Sequence, residues 1–379
     1  MNLDRQQAQE KLIPLRSRID ELDDKLLDLI QERARAAIEL GKLKTKFSLP
    51  IMDLIREKQV ISQLTEKVKP GDGLTLEAVS SVFNELIKAC RAAQAPTRVA
   101  FLGPAGTFSH AAALQQFGKL AFFIPCDDLA HVFDTANEGE ADFALVPFEN
   151  STEGIVGQTL DLMTKSNLRV QAMLNLKVNL CLMSSHGDLT LIKAISSHPQ
   201  ALAQCRNWLA LNMPGVELRP TVSTAAGATM ALSDESCAVI GHPTLATFYN
   251  LTVMSGDLQD STHNQTCFFV MSNDDSPPTG KDLTLVWFSA AHNSGSLYKC
   301  LQPLAGVNLT RLHSRPNLES PWEYLFFLEL EGHFQDEKVQ EALKALSAQT
   351  DKCHVMGSYE APSEQRSLKV PLGSLSSNI

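Results

Sequence analysis

Along the first hundred residues apolar side chains return every three or four positions: Leu15, Ile19, Leu22, Leu26, Leu29, Ile30, Ala37 and Leu40 form one stripe, the period of an amphipathic helix. Pro14 before it and Phe47-Ser48-Leu49-Pro50 after it predict the limits of one helix of about 32 residues, roughly 48 Å long. Shorter helices are predicted over residues 50–67 and 75–94, separated by Lys69-Pro70-Gly71-Asp72-Gly73. A helix that long has nothing in its own short segment to cover the stripe, so the pattern predicts an intertwined all-helical dimer over residues 1–96. After Ala95-Pro96-Thr97 the period shortens. Apolar runs at residues 98–102, 122–125, 143–148, 170–174, 178–183, 194–197, 237–240 and 268–271 alternate with helix-like stretches, which predicts an α/β domain over 97–273. Beyond the polar linker Asn273-Asp274-Asp275-Ser276-Pro277-Pro278-Thr279-Gly280, residues 282–361 read strand (283–288), helix (296–304), strand (309–314), strand (324–331), helix (337–348), strand (353–359), a βαββαβ, ferredoxin-like order. The Ser-rich end, 362–379, is expected to be a mobile tail.

Composition narrows the functions open to such a chain. Its 379 residues exceed one core and fit a multidomain protein. No apolar run approaches the length of a bilayer-spanning helix, and the start lacks a signal-peptide pattern, so a cytoplasmic protein is expected. Eight cysteines at 90, 126, 181, 205, 237, 267, 300 and 353 show no metal-ligand spacing, so neither a metal nor another cofactor is expected. The net charge of −10 argues against nucleic acid. Residues 1–96 are near neutral, with 16 Lys+Arg against 15 Asp+Glu, which leaves 17 against 28 for the rest. An anionic ligand is therefore expected to be held by local cation clusters.

The densest polar sequence at a strand end is Glu149-Asn150-Ser151-Thr152-Glu153-Gly154, after the apolar run 143–148. A second loop of the same design, Gly103-Pro104-Ala105-Gly106-Thr107-Phe108-Ser109-His110, opens a helix whose free N–H groups attract anions. Neither loop is a nucleotide-binding fingerprint, and no GxSxG elbow is present. In the helical segment Arg33 and Lys44 lie eleven positions apart, which returns them to one helix face, and Asp53, Arg56 and Glu57 form a polar patch on the next helix. These charges are either solvated faces or a ligand clamp.

Residues 10–95, through Leu15-Arg16-Ser17-Arg18-Ile19-Asp20, Glu32-Arg33, Gly41-Lys42-Leu43-Lys44, Asp53-Leu54-Ile55-Arg56-Glu57 and Gln94, resemble the all-helical chorismate mutases. The resemblance implies that Arg33 and, from a partner chain, Arg16 hold the chorismate carboxylates. Lys44 and Gln94 would donate to the ether oxygen, while Asp53 and Glu57 engage the ring hydroxyl side. Arg56 would line the same pocket, and Cys90 stands where the family commonly has Ser. A unimolecular rearrangement needs only orientation and positive charge at the breaking bond.

The two loops, with Ser197-His198-Pro199-Gln200 and Thr266-Cys267-Phe268, make residues 97–272 resemble prephenate dehydratase. That implies two α/β lobes of the periplasmic-binding type, a catalytic Thr266 that assists departure of the ring hydroxyl, and Thr107, Ser109, Asn150, Ser151, Gln200 and Phe268 around prephenate. Glu149 is either a proton partner or a helix-entry cap. The family has Arg where Cys267 stands, so one positive charge expected near the substrate is missing. Gly295-Ser296-Leu297-Tyr298, Ser314-Arg315-Pro316 and Pro321-Trp322-Glu323 resemble an ACT regulatory domain. Phenylalanine would then bind at Gly295, Ser296, Leu297, Ser314, Arg315 and Pro316, with His313 in place of the usual Glu. The implied protein is a homodimeric or larger enzyme converting chorismate to prephenate and prephenate to phenylpyruvate under phenylalanine feedback. A dehydratase with a purely structural helical segment, and a non-catalytic two-lobed binding protein, are the alternatives.

Overall fold

A computed structural model describes residues 2–47, 52–69, 71, 73–290, 293–317 and 323–362, and the expectations placed on Pro321, Trp322 and the 363–379 tail fall outside them. The chain divides into two compact units, residues 1–97 with 117–122, and residues 98–116 with 123–379.

The first unit contains α1 (Asn2–Lys46), α2 (Leu54–Thr65) and α3 (Leu76–Gln94). α1 does not start at Pro14 but carries it inside the helix. The residues before it, Gln6-Gln7-Ala8-Gln9-Glu10-Lys11, are good helix formers, and a proline forfeits only its own N–H bond and strains the preceding turn. Asp53 caps α2 by accepting from the Arg56 amide at 2.9 Å, and Thr75 caps α3 by accepting from the Ala78 amide at 3.2 Å. α3 stops at Ala95, which is extended, as a residue before proline prefers. α1 meets α3 where Gly41 faces Gln94: a Cβ on Gly41 would stand 2.8 Å from the Gln94 Cβ. Among the described hydrophobic residues of this unit Met52, Ile87, Cys90 and Phe117 are buried, whereas Leu15, Ile19, Leu22, Leu26, Leu29 and Leu40 are each about half exposed.

The second unit begins with an α/β lobe: β1 (Arg98–Leu102), α4 (Phe108–Phe117), β2 (Phe122–Cys126), α5 (Leu129–Asn137), β3 (Phe143–Asn150), the short β4 (Gly154–Ile155), α6 (Gly157–Met163) and β5 (Arg169–Lys177). The chain then builds another lobe from β6 (Cys181–Ser184), β7 (Ala194–Ser197), α7 (Pro199–Gln204), α8 (Arg206–Asn212), β8 (Glu217–Pro220), α9 (Thr224–Ser233), β9 (Cys237–Gly241), α10 (Thr244–Tyr249) and β10 (Thr252–Ser255). It returns through β11 (Gln265–Ser272), which enters the first sheet between β3 and β5, antiparallel to both. The first sheet runs β2-β1-β3-β11-β5 and the second β10-β6-β9-β7-β8. Register places Thr266 of β11 opposite Asn150 of β3. The run expected to be a strand over 178–183 is strand only from Cys181, and β4, β8 and β10 carry too little apolar pattern to be read from sequence. The second lobe has its own cores, Leu180, Ile195 and Ile240 on one side of its sheet and Met183, Ala228 and Val239 on the other.

The remaining elements are β12 (Asp282–Ala290), α11 (Ser296–Leu301), β13 (Leu309–Pro316), β14 (Tyr324–Glu331), α12 (Glu337–Ser347) and β15 (Lys352–Glu360). They form an antiparallel sheet ordered β13-β14-β12-β15, the ferredoxin-like arrangement. β12 is buried at all nine positions, because both faces of this sheet are covered. Val286, Phe288, Leu328 and Leu330 pack under the helices with Val339 and Leu346. Leu285, Trp287, Phe327 and Tyr359 share a core with Val146, Phe148 and Phe269 of the first lobe. The linker is correspondingly anchored, since Ser276 Oγ donates to the Gln171 carbonyl at 3.1 Å. At Gly357, φ is +133°, and a Cβ would stand 2.6 Å from the Val170 carbonyl oxygen. Only glycine permits β15 to approach β5 so closely.

Candidate functional site

Between the two lobes opens a cavity of about 520 Å³, lined by Gly103, Thr107, Phe108 and Ser109 from the first loop and by Asn150, Glu153, Gly154, Ile155 and Val156 from the second. His198, Gln200, Gln204, Ser223 and Thr224 face it from the second lobe, and Thr266 and Phe268 from β11. Asn150 is the structural centre of the cavity wall. Its Oδ1 accepts from the Thr152 amide (3.0 Å), the Thr152 hydroxyl (2.7 Å) and the Glu153 amide (3.2 Å). Backbone N–H groups can only donate, so this fixes the orientation of the side-chain amide. Nδ2 is thereby turned to Asn264 Oδ1 at 3.0 Å and Thr266 Oγ1 at 2.9 Å. Thr266 accepts from Asn150, which leaves its own hydroxyl proton for a ligand.

Thr107 is differently placed: its hydroxyl donates to the Pro104 carbonyl at 2.9 Å and accepts from the His110 amide at 3.4 Å, as a helix cap does. Ser109 is buried at the cavity edge and Gln200 lines the opposite wall. Glu149 and Ser151, expected around prephenate, are not in the lining. Ser151 accepts from the Gln265 amide at 3.0 Å, and Glu149 pairs with Arg311 at 3.5 Å. Strand alternation explains Glu149, whose neighbour Asn150 takes the cavity side.

The same alternation disposes of the missing charge at Cys267. Thr266 and Phe268 face the cavity, whereas Cys267 is buried on the opposite side. Burial pushes its thiol up to about 12, with Arg311 acting against that and Glu329 and Glu149 adding to it. The expected cation cluster is also absent: no Lys or Arg occurs among the described lining residues, and Glu153 is the one carboxylate there. Phe108, Ser109 and Thr224 in the wall belong to the first turns of α4 and α9, where the positive ends of the helix dipoles lie. Gln204 Nε2 of the second lobe reaches Glu153 Oε1 of the first at 3.5 Å.

In the helical unit Arg91 of α3 meets Glu57 of α2, with Lys44 and Asp53 near enough to act on Glu57 electrostatically, and the buried Cys90 precedes Arg91 on α3. Burial raises the Glu57 carboxyl above its ordinary value, Asp53 adds to this, and Arg91 and Lys44 oppose it. Arg91 was not among the expected residues. It is buried, donates through Nη1 to both Glu57 oxygens at 2.8 and 2.9 Å, and donates through Nη2 to the Phe117 carbonyl at 3.1 Å. Gln94 Oε1 is buried without a hydrogen-bond partner among the described residues, an arrangement that favours an incoming donor. Arg33 is half-buried, whereas Arg16 and Arg56 are exposed. Twenty-eight residues of helix put Arg16 roughly 42 Å from Lys44, so one chain does not bring these two together.

Of the expected effector residues, Gly295 takes a left-handed conformation (φ +79°) at the head of α11, where Ser296 and Leu297 begin the helix. Ser314 and Pro316 are exposed on β13. Arg315 is committed elsewhere, donating to Asp161 of α6 through Nε at 2.8 Å and Nη2 at 2.5 Å.

Residues 15–95 match the family model of chorismate mutase type II, and residues 99–276 that of prephenate dehydratase. A bifunctional chorismate mutase/prephenate dehydratase of Aquifex aeolicus is 37% identical over 92% of this chain and 98% of its own length. The enzyme of the same name from Escherichia coli K12 is 31% identical over 94% and 97%. Among solved structures, the prephenate dehydratase of Arthrobacter aurescens in complex with L-Phe is 35% identical, covers 70% of this chain and 90% of its own, and superposes with a TM-score of 0.65.

Proposed function

The chain belongs to the bifunctional chorismate mutase/prephenate dehydratase family, and from that premise we propose how its residues divide two consecutive reactions. Chorismate becomes prephenate in the helical unit, and prephenate becomes phenylpyruvate in the cavity between the lobes. The observation that carries the second assignment is the Asn150–Thr266 hydrogen bond, whose fixed polarity leaves the Thr266 proton directed at a ligand. Prephenate loses its ring carboxylate as carbon dioxide, the electron pair of the broken C–C bond enters the ring, and the ring hydroxyl departs as water with one added proton. Thr266 donates a hydrogen bond to that departing oxygen, and Asn150 prevents its hydroxyl from turning away. A neutral hydroxyl suffices because formation of an aromatic ring drives the step. The amides at the starts of α4 and α9 hold the carboxylates.

For the rearrangement, Lys44 and Gln94 place donors at the ether oxygen, Gln94 through its amide N–H. Arg33 holds a carboxylate, and Asp53, Glu57 and Arg56 face the ring. Arg91 holds Glu57 in place. Arg16 acts in a second copy's site, with α1 helices packed through their exposed leucines. The ferredoxin-like sheet serves as an ACT-type effector domain for phenylalanine, a reading supported by its topology and by the L-Phe carried by the Arthrobacter aurescens relative.

The test is one assay on the full chain that follows chorismate loss and phenylpyruvate formation separately, with and without phenylalanine. Thr266→Ala is expected to lower phenylpyruvate formation by about 100- to 1,000-fold, the scale of losing one oriented donor, while chorismate loss stays unchanged. Equal loss of both rates in that variant would contradict two independent sites.

A further inference from the structure

One face of β13 is turned to the first lobe at three successive inward positions. Arg311, His313 and Arg315 alternate with the exposed Leu312, Ser314 and Pro316. Arg311 Nε lies 3.5 Å from Glu149 Oε2, and its guanidinium carbon sits 5.8 Å from the centre of the Phe148 ring. His313 stands perpendicular to the same ring, with the two ring centres 6.2 Å apart. Arg315 makes the two-pronged pair with Asp161. Glu149 and Asp161 flank the stretch 150–156, of which Asn150, Glu153, Gly154, Ile155 and Val156 line the cavity.

Arg311 is itself fixed from behind. Its Nη1 donates to Glu329 Oε2 at 2.8 Å. Glu329 is fully buried and also accepts from the Thr310 and Tyr359 hydroxyls. A guanidinium held by a buried carboxylate is a rigid point from which to hold a second one. Arg315 is fixed by space, since a Cβ on Gly157 would fall 1.8 Å from its Nη1.

We propose that β13 positions the dehydratase cavity: Arg311 clasps Glu149 just before the 150–156 segment, Arg315 clasps Asp161 of α6 just after it, and together they hold the Asn150 amide on Thr266. These arginines are positioning residues, acting through two carboxylates that do not touch the ligand. The inference rests on reading the cavity as the prephenate site, and it gives the ferredoxin-like sheet a direct mechanical hold on that site.

The experiment uses the full chain with Glu149→Gln, Asp161→Asn, the double variant, and Gly157→Ala, which displaces Arg315 without removing a charge. Arg311 itself is left intact, because removing it would strand the buried Glu329 carboxylate and unfold the sheet. Prephenate KM and kcat are measured alongside chorismate turnover in the same samples, together with hydrogen exchange at the Thr152 and Glu153 amides. The double variant is expected to raise KM and lower kcat by about three- to tenfold, the scale of two half-buried ion pairs, with faster exchange at both amides and unchanged chorismate turnover. A lower melting temperature with unaltered KM, kcat and amide exchange would reduce these pairs to packing contacts and overturn the proposal. If the unsubstituted chain turned over no prephenate, the reading of the cavity would fall, and the exchange rates would still decide whether the clasp exists.

Discussion

A single histidine shows how burial turns into a pH dependence. His242 packs edge-on against Phe108 at 5.3 Å, and its Nδ1 accepts from the Thr244 amide at 3.3 Å. Burial lowers its pKa to about 4, so the folded protein holds it neutral. A depressed folded pKa contributes stability that is present above the unfolded value of about 6.5 and is lost as pH falls toward 4. Thermal melts of the second unit are therefore expected to lose up to about 3 kcal/mol between pH 7 and pH 4 through this residue. His242→Asn, which keeps an acceptor for Thr244, is expected to flatten that slope; an unchanged slope would assign it to other groups. Asn150 was legible as a polar residue at a strand end, and Thr266 through the resemblance to prephenate dehydratase. Which of the two donates to the other was not, because it depends on the Thr152 and Glu153 amides that fix the Asn150 side chain.

At the scale of elements, glycines mark where segments meet backbone to backbone. Gly41→Ala would gain intrinsic helix propensity in α1 yet push its new Cβ onto Gln94. Mutase activity is expected to fall on the order of tenfold or more, since small displacements of a positioning group are costly, while phenylpyruvate formation from supplied prephenate stays the same. Parallel kinetics on both substrates check this. Gly357→Ala meets both a left-handed φ and the Val170 backbone, and it is expected to destabilise the second unit by roughly 2–4 kcal/mol, read as a lower urea midpoint. Element types were largely legible, because the 3.6-residue stripe of α1 and the apolar runs of β1, β3, β9 and β12 are strong periodic signals. α1 begins upstream of Pro14, since proline disrupts a helix locally without ending it. β4, β8 and β10 escaped because they owe their extended form to neighbouring strands.

For the whole molecule, the exposed leucine stripe of α1 and the 42 Å or so between Arg16 and Lys44 have one joint consequence. A mutase site that needs Arg16 requires a second chain. Leu26→Glu, at the middle of the stripe, is expected to shift sedimentation equilibrium toward the monomer and to abolish chorismate turnover, whereas prephenate turnover persists. A monomer that still rearranged chorismate would remove Arg16 from the site.

The sequence by itself determined the order of the parts, the helical period of the first and the strand period of the others, and the polar strand end and helix opening that carry Asn150 and Gln200. These are local properties: periodicity, capping chemistry and residue type are written in neighbouring positions. Tertiary structure alone decided which face each strand residue presents, and so turned Glu149 and Cys267 away from the cavity. It left the cavity wall without a lysine or arginine among the described residues, brought Arg91 to Glu57, and joined the ferredoxin-like sheet to the first lobe through Arg311 and Arg315. Those outcomes depend on registers and packing between segments far apart in the chain, as in the contact of Arg169 with Val355, and no local pattern encodes them.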